Sequence, residues 1–101
     1  LRAYADPAVR QKLHEEMVEW KETHEPQIDA EALQQMSEQE ILFLLQNLTA
    51  TTRMVFNLYI TEGYNHKEIG QLLAISEGTS KWHLSEARKY LINSIKAKEI
   101  A

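Results

Sequence analysis

The sequence predicts an all-α fold: a four-helix domain containing a helix-turn-helix, preceded by an amphipathic helical segment. Apolar residues recur at helical spacing after residues that cap helices, and no stretch shows the alternation typical of a strand. Residues 65–91 contain two such helical patterns separated by a short turn. With 101 residues and 44% hydrophobic side chains, the chain is long enough for one modest core.

Residues 1–36 are predicted to form an acidic helical linker segment. Asp6 and Pro7 favour a helix start, because a proline at the first helical position loses no hydrogen bond. This helix is expected to run to about Thr23, and a short second helix is expected over 29–36. The apolar stripe of the first helix consists of Val9, Leu13, Met17 and Trp20. This stripe must be buried against this chain, a second copy or another domain.

Residues 37–101 are predicted to form a four-helix domain. A capping box at 37–40 begins its first helix. Thr49 or Thr51 caps the next, which Gly63 ends where a left-handed residue is favoured. Both helices carry more apolar residues than one buried stripe needs. We therefore expect one face to meet the core and another to meet a partner.

The last two helices form the predicted helix-turn-helix. Asn65 and Glu68 have capping-box spacing at the first, and Ser76 caps the second. Gly70 is placed where the two helices are expected to cross closely, which offsets its low helix propensity. The predicted inward faces are Ile69, Leu72 and Leu73 in the first helix, and Ser80, Leu84, Ala87, Leu91 and Ile95 in the second.

The outer face of the second helix carries residues suited to contacts with DNA bases. Lys81 and Arg88 can meet phosphate or guanine edges, Ser85 can bond to either, and Trp82 can contact thymine methyl groups. Glu77 can accept from cytosine or repel phosphate. The alternative is an ordinary solvated helix face with Trp82 half-buried. Contacts to the DNA backbone are predicted for Arg53, which can instead form an intrachain pair, and for His66, Lys67, Thr79 and Lys89.

The net charge of −4 is unevenly distributed. Residues 1–52 carry four basic and ten acidic side chains, whereas residues 53–101 carry seven basic and five acidic ones. Since phosphate neutralisation supplies most non-specific DNA affinity, only the second half is suited to DNA. If the acidic helix packs on the helix-turn-helix, it would shield Lys81 and Arg88. Removing residues 1–36 should then tighten DNA binding.

Other chemistry is not indicated. The chain has no cysteine, hence no disulfide or thiolate metal site, and no apolar run near the length of a membrane span. The segment from His14 to Val18 lacks the second histidine of a zinc-protease helix. No phosphate-binding loop or nucleophile–base pair is recognisable. We therefore expect no enzyme activity, no catalytic or metal-binding residue and no cofactor. The start at Leu1 without an initiator Met suggests a fragment.

Residues 48–91 resemble region 4 of bacterial RNA polymerase sigma factors, specifically the extracytoplasmic-function type. The resemblance covers a little under half of the chain. It departs from the family at Ser80, where a bulky aliphatic residue is frequent, and at Ala74, where Gly is frequent; basic residues are also missing near Trp82. The matching residues are Leu48, Arg53, Val55, Phe56, Gly63-Tyr64, His66-Lys67-Glu68-Ile69-Gly70, Ile75-Ser76-Glu77-Gly78-Thr79, Leu84 and Ala87-Arg88.

This resemblance implies a promoter-recognition domain in the bacterial cytoplasm. Glu77 to Lys89 would read the −35 element, the preceding apolar helices would contact the β-subunit flap of RNA polymerase, and an anti-sigma factor would mask these surfaces. One alternative is the output domain of a response regulator or quorum-sensing regulator, which has a similar Ile-Ser-Glu-Gly-Thr turn but dimerises on palindromic sites. Another is a protein-interaction module that uses the apolar surface of 41–60 and the stripe that contains Trp20.

Overall fold

Every regular element of the described chain is a helix, as predicted. The computed structural model describes residues 3–100, with side chains through residue 98. No helix within that range is both long enough and apolar enough to span a bilayer. After a single 3₁₀ turn over Ala3–Ala5, the helices are α1 (Pro7–His24), α2 (Ala30–Gln34), α3 (Glu38–Gln46), α4 (Ala50–Ile60), α5 (His66–Leu73) and α6 (Glu77–Ile100).

The two helices of the N-terminal segment begin at the predicted caps. The Asp6 carboxylate accepts from the N–H of Ala8, and Asp29 caps α2 in the same way. However, α2 ends at Gln34, two residues before the predicted end. The guanidinium of Arg10 donates to the carbonyls of Gln34 and Met36, so these groups are satisfied without a further helical turn.

The caps of the C-terminal half follow the sequence closely. Capping boxes are present at 37–40 and 65–68, and Thr49, rather than Thr51, caps α4. Gly63 has a φ of +76°, in the left-handed region that glycine favours. Ala74, which ends α5, has a φ of +57°, the only positive φ of a non-glycine residue in the described chain.

Gly70 lies at a close backbone approach, as predicted, but the approaching backbone is that of the turn and not that of α6. A Cβ at this position would lie 2.7 Å from the carbonyl oxygen of Ile75, whereas the nearest atom of α6, the backbone nitrogen of Glu77, is 3.6 Å away. The tight contact is therefore with the turn, which folds back over α5, and not with the crossing helix.

Helix α6 forms the centre of the molecule and packs against α1, α4 and α5. Its five predicted inward residues are all buried, together with Ile92. Met17 and Trp20 of α1 belong to the same core, so the N-terminal stripe is buried against this chain. The inward placement of Leu72 is wrong, since its side chain is 57% exposed. The buried direction of α5 lies between Ile69 and Gly70, about 110° away around the helix at about 100° per residue.

Candidate nucleic-acid interface

The first turns of α6 present a solvated face beside the buried stripe. Lys81 and Lys89 are exposed, and Trp82 is 57% exposed, with its ring in a T-shaped arrangement with that of His83. Because burying a large aromatic surface is favourable, a tryptophan side chain is rarely this exposed to solvent. The half-buried alternative for Trp82 therefore does not hold in the free protein.

The N-terminus of α6 is capped by its own chain. Ser76 accepts from the backbone N–H of Thr79 at 3.0 Å, and the two hydroxyl groups are 2.7 Å apart. The Thr79 N–H is thus already satisfied, while Glu77, Gly78 and Thr79 remain exposed. An anion approaching this end meets the positive end of the helix dipole together with the N–H groups that Ser76 leaves uncapped.

Arg88 points toward α1 and is mostly covered. Its Nη1 donates to Oε2 of Glu16 at 2.8 Å, and the two side chains are 16% and 15% exposed. The Arg88 Nε is buried without a hydrogen-bond partner. Leaving a buried donor unpaired costs about 1–3 kcal/mol. Arg88 is therefore held by α1, but its hydrogen-bonding capacity is incompletely used.

The ring of His66 is part of an internal cluster rather than a free surface group. It stacks on Tyr59, with ring centroids 4.9 Å apart, and its Nδ1 lies 2.9 Å from the hydroxyl of the fully buried Ser80. Ser80 is therefore a buried polar residue with a partner.

The remaining backbone-contact candidates lie at the edge of this face. Lys67 is exposed at the start of α5. Arg53 is half-buried, and its guanidinium donates to the carbonyl of Gln46 at 3.4 Å. A bond that sequence reasoning missed joins α4 to α6, where the buried Thr52 hydroxyl lies 2.8 Å from Nδ1 of His83.

The amino-acid sequence of this region matches the model of a known protein family. The family model described as Sigma-70, region 4 matches residues 38–91, slightly more than half of the chain. The chain belongs to the Sigma-70 region 4 family. The match runs from the start of α3 to Leu91 in α6, so it contains the helix-turn-helix and excludes α1 and α2. Neither the curated proteins nor the solved structures gave a match.

Membership of this family indicates the general role of the domain, without identifying the residues that carry it. Region 4 of a sigma factor is a DNA-binding domain that recognises the −35 promoter element and interacts with RNA polymerase. The family is not a catalytic one. Among the residues that the structure describes, no group of three or more His, Asp or Glu side chains is arranged to hold a metal ion.

The His66 cluster of this region 4 domain makes stability depend on pH. Burial, followed by the positive charges of Lys81 and Arg88, lowers the pKa of His66 below its ordinary value of 6.5. As the pH falls through about 6.5, the unfolded chain takes up this proton before the folded protein does, so folding becomes less favourable. We expect the thermal midpoint to decrease between pH 7.5 and 5.5.

The matched measurement uses a His66→Gln variant, whose midpoint should change less over this interval. The pKa values of Glu25 and Glu40 are lowered by hydrogen bonds, so these residues lose their stabilising contribution only below about pH 4.5. They therefore do not contribute to the change between pH 7.5 and 5.5. Equal pH dependence of the two proteins would show that His66 is not the responsible group.

Proposed function

We propose that this chain is the C-terminal part of a sigma factor of the extracytoplasmic-function type. In this proposal, 37–101 is the region 4 domain and 1–36 is the acidic linker that follows region 2. The N-terminal half of α6 enters the major groove of the −35 element. The observation that supports this most directly is the open face at Lys81 and Trp82, on the second helix of a helix-turn-helix that the family match includes.

The proposed base contacts divide by chemistry. Lys81 and Arg88 donate to guanine edges or phosphate, Ser85 bonds to either, and Trp82 packs on thymine methyl groups. Glu77, at the exposed start of α6, accepts from a cytosine amino group. The proposed phosphate contacts are Arg53, His66, Lys67, Thr79 and Lys89, and of these Lys67, Thr79 and Lys89 are exposed in the free protein.

The proposed protein partner is the β-subunit flap of bacterial RNA polymerase, in the cytoplasm. The helices before the helix-turn-helix leave large apolar side chains in solvent, with Phe43 64% exposed and Met54 47% exposed. Exposed apolar side chains mark a protein-binding surface when they form a contiguous patch, and the proposal is that these two residues belong to one. An anti-sigma factor that covers these residues and the α6 face would keep the domain from promoter and polymerase.

The experiment that tests this function is selection of binding sites from a random duplex pool, at two salt concentrations, with and without the isolated β flap. We expect enrichment of one non-palindromic motif, helped by the flap. Lys81→Ala should weaken binding to that motif about tenfold, because one good base contact contributes about 1–3 kcal/mol.

Lys98→Ala is the matched control, since it removes the same charge from the far end of the same helix, where Lys98 pairs with Glu40. It should leave the selected motif and its affinity unchanged. A palindromic motif bound by a dimer would instead assign the domain to a response-regulator type of transcription factor. Flap binding without any enriched motif would reduce the function to that of an interaction module.

A further inference from the structure

Helix α1 lies against the part of α6 that is proposed to meet DNA. Glu16 and Glu19 of α1 line a pocket of about 350 Å³, and three of the proposed base-contact residues, Lys81, Ser85 and Arg88, line the same pocket. Two carboxylates therefore occupy space beside the recognition surface. The charge of Glu16 also acts on Tyr59, because the pKa of Tyr59 is raised first by burial and then by this charge.

The most specific contact in this region is the ion pair of Glu16 with Arg88. The carboxylate oxygen lies 2.8 Å from Nη1, and both side chains are largely shielded from solvent. A carboxylate and a phosphate present the same kind of acceptor to a guanidinium group. While this pair is formed, Glu16 holds the donor that a phosphate or a guanine edge would need.

The same ion pair is an imperfect site for Arg88. One guanidinium nitrogen is bonded to Glu16, while Nε is buried and has no acceptor. A phosphate group or a guanine edge can accept two parallel hydrogen bonds from arginine. DNA therefore offers Arg88 a more complete set of hydrogen-bond acceptors than α1 does. This difference favours replacement of the Glu16 carboxylate by DNA.

Apolar contacts, rather than this ion pair, determine where α1 rests. Leu13, Met17 and Trp20 are buried in the common core. The end of the helix is held in addition by Lys96 of α6, whose Nζ lies 3.3 Å from Glu25. A variant that removes only the Glu16 charge should therefore leave α1 folded and docked.

We propose that α1 is an intramolecular competitor of DNA, in which Glu16 holds Arg88 until DNA binding shifts the helix away from this contact. This inference rests on the proposed function, because it requires that the α6 face binds duplex DNA. By thermodynamic linkage, DNA binding weakens the docking of α1 by the same factor by which docking weakens DNA binding.

The first test compares Glu16→Gln with Glu15→Gln in the full chain, using the duplex selected by the wild-type protein. Glu16→Gln keeps the size of the side chain and removes the charge that holds Arg88. We expect it to tighten binding about fivefold. Glu15 is an exposed neighbour that accepts a hydrogen bond from Gln11, so Glu15→Gln changes the net charge equally and should alter affinity less than about twofold.

An Arg88→Ala background separates competition for Arg88 from general charge repulsion. If Glu16 acts by holding Arg88, the gain from Glu16→Gln disappears in this background. Repulsion between Glu16 and DNA phosphates would instead leave the gain intact. That result would overturn the competitor role.

The movement of α1 can be measured directly, because the chain has no cysteine. Labels on Thr23→Cys in α1 and Asn93→Cys in α6, both exposed positions, report the distance between the helices. We expect this distance to lengthen or broaden when the protein is saturated with duplex. An unchanged distance at saturation would overturn the inference, as would equal affinities for Glu16→Gln and Glu15→Gln.

Failure of the proposed function has a different signature. In that case neither the wild-type protein nor Glu16→Gln binds any duplex, and both proposals fall. If instead the duplex is bound and Arg88→Ala weakens that binding, the proposed function stands. The comparison of Glu16→Gln with Glu15→Gln then judges the competitor role alone.

Discussion

Replacing Phe56 by alanine is expected to lower the free energy of unfolding by about 3–5 kcal/mol. Phe56 is 0% exposed at the centre of α4, and its ring stacks on Tyr4, with centroids 6.5 Å apart. The substitution removes apolar surface from the core and leaves a cavity that the helices around it fill only in part. Since small domains have a total stability of about 5–15 kcal/mol, this variant should be close to unfolding at 37 °C.

Phe43 provides the matched control for this measurement. It is the same residue type in the preceding helix, but its side chain is 64% exposed. Phe43→Ala should change the stability by no more than about 0.5 kcal/mol, because surface substitutions away from special features have little effect. Urea unfolding monitored by circular dichroism measures the loss in free energy of unfolding for both variants. Similar losses would mean that Phe43 is covered in solution, for example by self-association.

Replacing Gly70 by alanine should destabilise the domain by about 1–3 kcal/mol, although alanine is the better helix former. The added Cβ would lie 2.7 Å from the carbonyl oxygen of Ile75, and a backbone atom cannot move aside as a flexible side chain can. Either α5 or the turn must shift. Because the turn positions the start of α6, DNA affinity should decrease together with stability.

Gly78→Ala is the corresponding control in the first turn of α6. A Cβ there meets only the Ser76 hydroxyl oxygen, at an ordinary distance of 3.9 Å. This variant should gain about 0.5–1 kcal/mol, because alanine restricts the unfolded chain and favours the helix. Thermal unfolding of both variants measures the contrast. A stabilised Gly70→Ala would show that the turn accommodates the methyl group and that the close approach is not a constraint.

The features that could be predicted from the sequence are those determined by near neighbours. The caps at Asp6, Ser37 and Asn65 depend on residues two or three positions away, and all three are present in the structure. The buried stripe of α6 was equally readable, since a long helix repeats its pattern over several turns. A pattern of one residue per turn does not predict the burial of Ile92, because the buried face of α6 is wider than that pattern.

The features that escaped prediction depend on contacts between distant parts of the chain. The end of α2 is determined by Arg10, which is 24 positions before Gln34. Leu72 fits the apolar pattern of α5, but an eight-residue helix has too few turns to define which flank is buried. The excess of acidic residues in 1–52 motivates the hypothesis that α1 covers α6. It could not identify Glu16, 72 positions from Arg88, as the partner.

The length of α6 has a mechanical consequence. Its 24 residues span about 36 Å at 1.5 Å per residue, and no glycine or proline follows Gly78. Helices bend sharply mainly at such residues, so α6 is a stiff rod without a hinge. A tilt of about 10° about its midpoint would displace each end by about 3 Å. Any tilt at the Lys81 end is therefore transmitted to Lys96 and Lys98, which hold Glu25 and Glu40 at the opposite end of the rod.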